Sequence, residues 1–150
     1  RLVRERDRFW NRERQDKAGS IGLTPQQVIT LASIIEEETA KNDELPIVAG
    51  LYMNRLHRNM PLQADPTVVF ALGGERPKRV LKVHLEVDSP YNTYQNYGLP
   101  VGPIANPGLE SLKAVLEPAE HDYLYYHTNP KTNDGSHIFT KTYQDHLNTQ

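Results

Sequence analysis

The 150-residue chain contains no cysteine, so no disulfide framework holds it and no thiolate serves as nucleophile or metal ligand. Its apolar runs are only a few residues long, far short of the roughly 20 residues that a membrane-crossing helix requires. No signal-peptide pattern is present. Basic charge is not in excess: 17 lysines and arginines against 19 aspartates and glutamates leave a net charge of −2. With no positive field to hold a polyanion, nucleic acid is not an expected partner. There is no HExxH, no P-loop, no GxGxxG and no GxSxG, and the six histidines show no paired metal-ligand spacing. Neither a metal nor an organic cofactor is implied. What remains is a chain 37% apolar and 24% charged, sized for one domain over residues 1–150 that buries roughly two-thirds of its unfolded surface. Because a helical pattern starts at the first residue, the chain reads as an excised part of something longer, with any anchor upstream.

Residues 1–17 predict a charged helix in which Leu2 and Phe9, and Val3 and Trp10, form a narrow apolar seam. Its arginines interleave with Glu5, Asp7, Glu13 and Asp16, which describes a solvated face better than a binding patch. Ala18, Gly19 and Ser20 are expected to end it. A second helix is expected over residues 24–40: Thr24 suits the N-cap, Pro25 the first turn and Gln27 the capping-box position. A third covers 46–58, with Val48, Leu51, Tyr52 and Leu56 at helical spacing. Residues 62–107 are rich in Pro, Gly, Asn and Tyr, with room for a helical turn after Pro66, and so long an irregular stretch usually carries function. A helix opens at Asn106 or Pro107 and runs to about Leu116. Residues 123–127 and 137–140 read as strands joined through 129–136, and a short helix takes 142–147. His121, His127 and His137 read as surface or strand-end residues. The predicted class is α+β, with N-terminal helices packed against a small antiparallel sheet.

The segment Ser33-Ile34-Ile35-Glu36-Glu37-Glu38-Thr39 is the most informative. Three consecutive glutamates usually mark a solvated face. At about 100° per residue, however, Val28, Leu31, Ile34 and Ile35 share one side, and Glu38 projects from its middle. Glu36 points almost oppositely and Glu37 about 100° away, so both are expected to stay wet. A carboxyl driven toward the interior neutralises or finds a partner, and one kept protonated near neutral pH is what a general acid requires. A buried structural glutamate is the plainer alternative.

Downstream, Gln63-Ala64-Asp65-Pro66-Thr67, Tyr91-Asn92-Thr93-Tyr94 and Tyr97-Gly98-Leu99-Pro100-Val101-Gly102-Pro103-Ile104 interleave aromatics and amides with rigid proline and glycine. Sugars are bound by flat aromatic faces and by amides or carboxylates that bond the hydroxyls, and a proline-fixed backbone preorganises such contacts. An ordinary structured loop, with tyrosines capping the core and Asn and Asp satisfying turns, is the bland alternative. Asp65 ahead of Pro66 could equally be a helix N-cap.

Leu31-Ala32-Ser33-Ile34-Ile35-Glu36-Glu37-Glu38-Thr39, Tyr52-Met53-Asn54-Arg55-Leu56 and Leu62-Gln63-Ala64-Asp65-Pro66-Thr67 resemble motifs of the endolytic murein transglycosylases (MltG/YceG-like). Tyr91-Asn92-Thr93-Tyr94, Gly98-Leu99-Pro100, Gly102-Pro103-Ile104, Asn106-Pro107-Gly108, Tyr123-Leu124-Tyr125-Tyr126 and His137-Ile138-Phe139-Thr140 continue the likeness in the same order. The turn 128–136 is not matched. The resemblance implies a lytic-transglycosylase-like catalytic domain that cuts the MurNAc–GlcNAc bond of peptidoglycan glycan strands and leaves 1,6-anhydroMurNAc ends. Glu38 is then the single acid/base. Gln63, Asp65, Tyr91, Asn92 and Tyr94 are assigned to the substrate groove, with Gly102, Pro103 and Ile104 shaping its wall. The family also implies an upstream single-pass helix in the inner membrane, a LysM-like region, and a catalytic part on the periplasmic face. Termination or release of nascent strands beside cell-wall synthesis proteins goes with it. Two alternatives stay open: a hydrolytic muramidase using Glu38 and Asp65, and a non-catalytic glycan-binding module.

Overall fold

The computed structural model of the chain describes residues 8–73 and 81–149, so Leu2 and Val3 of the expected opening seam lie outside the described residues. The opening helix is not continuous. Asn11 is extended, with φ −78° and ψ 174°, and its side chain accepts the Arg14 N–H at 2.9 Å, starting a new helix, α1, at Arg12–Ser20. The expected break at residues 18–20 is displaced as well. Ala18 is fully buried within the helix, and the chain turns only at Gly22, where φ is +81°. Arg14 lies 4.2 Å over the Phe9 ring.

Helix α2, Pro25–Glu38, has the reciprocal capping box that its sequence predicts: Thr24 accepts from Gln27 N and Gln27 accepts from Thr24 N. Val28 through Ile35 are all buried. Helix α3, Leu45–His57, and helix α5, Leu109–Leu116, pack against α2 and against each other, and these three form the core with Leu23, Leu62 and Ala64. Between α3 and α5 lie α4, Asp65–Ala71, and a 3-10 turn at His84–Glu86. Helix α5 begins at Leu109 rather than at 106 or 107, with Gly108 as its N-cap. The chain then crosses α3 at Gly50, where a Cβ would sit 2.2 Å from the Ala119 carbonyl oxygen. Only glycine allows that approach.

Strands β1, Tyr125–Thr128, and β2, His137–Thr140, pair antiparallel with Tyr126 opposite Phe139 and Thr128 opposite His137. Helix α6, Tyr143–Asn148, is capped by Thr142 and packs on both strands. The class is α+β, as expected.

Candidate active site

Glu38 is the last residue of α2, and Thr39 beyond it is extended, so the acidic side chain leaves the helix where the backbone changes direction. The apolar residues of its face anchor that end: Leu31, Ile34 and Ile35 are wholly inaccessible. Glu38 itself is half-buried and borders an open cavity of about 520 Å³ lined by the C-terminal end of α2, α3, the start of α4, the hairpin and the last helix. The Tyr52 hydroxyl donates to Glu38 Oε1 at 2.6 Å, and the Tyr126 hydroxyl lies 3.2 Å from that of Tyr52. Burial pushes the Glu38 carboxyl above its ordinary range. Hydrogen bonds from Tyr126 and Tyr52 pull it partly back, and the negative charge of Asp65 adds to the upward shift.

The three glutamates therefore occupy different settings. Glu37 is exposed. Glu36, expected to be wet, is half-buried: its Oε1 accepts the Gly108 amide at 2.6 Å and the Ser111 hydroxyl at 3.1 Å. A carboxylate from α2 thus satisfies orphan donors at the start of α5 and faces the positive end of that helix. This explains why α5 begins at Leu109.

Gln63, Asp65 and Tyr94 line the same cavity. Asp65 is the first residue of α4, and Ala64, not Asp65, is the N-cap. The Asp65 carboxylate accepts instead from the Tyr94 hydroxyl at 2.5 Å. Burial, together with the neighbouring Asp65, holds the Tyr94 phenol protonated. Gln63 takes a left-handed backbone, φ +52°, and its side-chain oxygen lies 3.4 Å from Arg55 Nη1.

The remaining expected groove residues do not border this cavity. Asn92 is completely buried. Its amide donates to the carbonyls of Leu85 and Val87 at 3.0 and 2.8 Å, and its oxygen accepts the Tyr94 N–H at 2.9 Å. It pins the loop that carries Tyr94, and no polar atom is left for a sugar. Tyr91 packs its ring 4.7 Å from that of Phe70. The Ile104 amide donates to Ser33 Oγ on α2 at 3.1 Å, and Gly102 lies beside the Tyr91 hydroxyl. None of these five lines the cavity beside Glu38. Asn92→Ala is accordingly expected to cost about 2 kcal/mol of stability, because the Val87 carbonyl and the Tyr94 amide lose their side-chain partner and the Leu85 carbonyl keeps only that of Gln95. Thermal melting checks this, and glycan binding by the folded variant should change little.

The hairpin wall was not among the sequence-derived site residues. Tyr125, Tyr126, His127 and His137 all line the cavity. His137 is not a free strand-end residue: its Nδ1 lies 2.7 Å from Glu44 Oε1, and its backbone amide donates to Glu44 Oε2 at 2.8 Å. Burial raises the Glu44 carboxyl, but the bonds from His137 and Thr39 outweigh it and hold the group below its ordinary range. His121 is likewise engaged, with Nε2 2.8 Å from the Ile47 carbonyl. An aromatic run beside hydroxyls on a short strand is the signal that could have drawn attention to Tyr126. Nothing local reveals that it meets Glu38. Among the described residues no group of three or more His, Asp or Glu side chains is arranged to hold a metal ion.

The family model described as YceG-like matches residues 1–150. An endolytic murein transglycosylase of Bacillus subtilis is 47% identical over 124 residues, covering 83% of this chain and 33% of that protein. One from Streptococcus pneumoniae is 33% identical over 131 residues, covering 85% of this chain and 23% of that protein. The crystal structure of a yceG-like protein from Listeria monocytogenes aligns with a TM-score of 0.83 at 41% identity, covering 92% of this chain and 44% of that one. The chain spans a third or less of the length of these curated relatives.

Proposed function

The chain belongs to the YceG-like family, and from that footing we propose that it is the part of an endolytic murein transglycosylase that cuts peptidoglycan glycan strands, with Glu38 as acid and base. The observation that carries this reading is a half-buried carboxyl, shifted toward its neutral form, on the wall of a polar cavity lined by tyrosines and histidines. Such a group can protonate a leaving oxygen near neutral pH. In this reading Glu38 donates its proton to the oxygen bridging MurNAc and GlcNAc, and the bond from that oxygen to MurNAc C1 breaks. The MurNAc C6 hydroxyl then bonds to C1 and gives its proton to the Glu38 carboxylate. The products are a 1,6-anhydroMurNAc end and a free GlcNAc hydroxyl, with the acid restored. One carboxyl serves both transfers, whereas hydrolysis with either stereochemical outcome ordinarily asks for two. Asp65 would stabilise the positive charge developing at C1, held in place by Tyr94.

No helix among the described residues is long and apolar enough to cross a membrane. Drawing on the family, we place the chain within a longer protein anchored in the inner membrane. There it works on the outer face, releasing nascent strands beside cell-wall synthesis proteins.

A hydrolytic muramidase is the second reading, because Asp65 borders the same cavity and acts electrostatically on Glu38. Digestion of purified glycan strands in heavy-oxygen water separates the two. The expected products carry anhydro ends and no heavy oxygen in the new MurNAc terminus, as read by mass spectrometry. One label per cut would make water the nucleophile and Asp65 its activating base.

A further inference from the structure

Glu38 stands at a helix end, where a glutamate with three side-chain torsions has many rotamers to choose from. Its surroundings leave it few. Tyr52, 2% exposed on α3, donates to Oε1 at 2.6 Å. Behind it, the Tyr126 hydroxyl lies 3.2 Å from that of Tyr52, close enough to help hold down the shift of the Glu38 carboxyl. The two rings meet edge to face at 6.4 Å. Tyr126 is itself held on two sides, stacked on Phe139 at 5.7 Å and edge-on to His137 at 5.2 Å. His137 is tied to Glu44, whose Oε1 also accepts from the hydroxyl of Thr39 at 2.9 Å, and Thr39 directly follows Glu38. The contacts close a circuit that leaves α2 at Glu38 and returns to it one residue later.

We propose that Tyr52, backed by Tyr126, is a positioning residue for the cleavage reaction: it occupies Oε1 of Glu38, so that the acid's proton is carried on the other oxygen in one fixed orientation. This rests on the reading of Glu38 as the acid/base. Burial and the Glu38 charge keep both phenols protonated, so they act as donors throughout the cycle. A phenol donating to a carboxylate stabilises it most after the first proton has left, which is when the base must persist.

The test is steady-state cleavage of purified glycan strands by Tyr52→Phe and Tyr126→Phe, across pH and beside Glu38→Gln. Phenylalanine retains the rings and removes only the hydroxyls. For Tyr52→Phe the expected result is a kcat about tenfold lower, KM unchanged, and the alkaline limb of the pH profile moved upward. The limb moves because a donor that favoured the ionised acid is gone. Tyr126→Phe should move both readouts the same way by less, and it carries the test should Tyr52→Phe fail to fold. Wild-type kcat with an unmoved limb overturns the proposal. So does a fall in kcat matched by a fall in melting temperature while the limb stays put, which would mark the tyrosines as structural only. Cleavage surviving in Glu38→Gln would remove the acid assignment itself. An inactive Glu38→Gln beside a normal Tyr52→Phe would remove only the positioning role.

Discussion

Glu38→Gln should lose cleavage of glycan strands by about a hundredfold or more, the scale of a missing general acid, while its circular dichroism spectrum stays that of the wild type. The amide oxygen still accepts from Tyr52, so the local packing survives; only the proton is gone. Stability should follow the opposite course from activity. The folded carboxyl lies above its unfolded value of about 4.3, so the folded state favours the neutral form. Its contribution is complete below the unfolded value and is lost as pH rises through the folded one. At neutral pH the glutamine variant should therefore melt no lower than the wild type, and its melting temperature should vary less with pH across that interval. Wild-type activity should decline over the same alkaline range as the acid loses its proton. A strongly destabilised Glu38→Gln would instead mean a charged glutamate holding the fold together.

Arg55→Ala should produce the largest loss of stability among single substitutions around the cavity. Arg55 is 7% exposed on α3. Its Nε donates to the Leu124 carbonyl at 2.8 Å, and its Nη1 donates to those of Pro61 and Leu62 at 3.0 and 3.2 Å. The guanidinium also lies 5.1 Å over the Tyr125 ring. One side chain thus joins α3 to the segment leading into α4 and to the start of the hairpin. Charge-assisted bonds of this kind contribute about 1.5–3 kcal/mol each, and buried carbonyls left without donors add their own penalty. Because such terms are not additive, a loss of about 4 kcal/mol is expected, equivalent to a melting temperature roughly 10 °C lower. Lysine at this position should recover only part of it, because the planar fork that reaches several carbonyls is missing. A change below about 1 kcal/mol would contradict the role of central clamp, since each bond alone should exceed it.

The sequence was most legible where structure depends on neighbours within one helix. Thr24, Pro25 and Gln27 form the capping box that their spacing implies, because the donors and acceptors lie three residues apart. Glu38 emerges on the buried side for the same reason: an apolar stripe at helical period fixes the direction of whatever continues it. Legibility falls where the decisive partner is distant. Glu36 looked solvent-facing on its own helix, yet it meets the beginning of α5, 72 residues on. Asn92 looked like a sugar-binding amide, whereas the carbonyls of Leu85 and Val87 claim it. In composition the two roles are identical, since both require a polar side chain among aromatics. Tyr126 and His137 carry no local signal of their partners, because their contacts come from strand docking, not from their own neighbourhood.

The circuit around Glu38 also bears on the order in which the chain can fold. Glu38 and Tyr52 lie 14 positions apart, on helices that adjoin in sequence. Tyr126 returns to Tyr52 across 74 positions, and His137 returns to Glu44 across 93. Closing long loops costs entropy before contacts compensate it, so near pairs form ahead of far ones. A two-stranded hairpin has little stability of its own, and it gains its place only once the helices offer a surface to dock on. The bond between Glu38 and Tyr52 thus needs only two helices that adjoin in sequence, not the hairpin. On the reading of Glu38 as the acid, the cavity beside it is complete only once the hairpin has docked, because Tyr125, Tyr126, His127 and His137 form part of its lining.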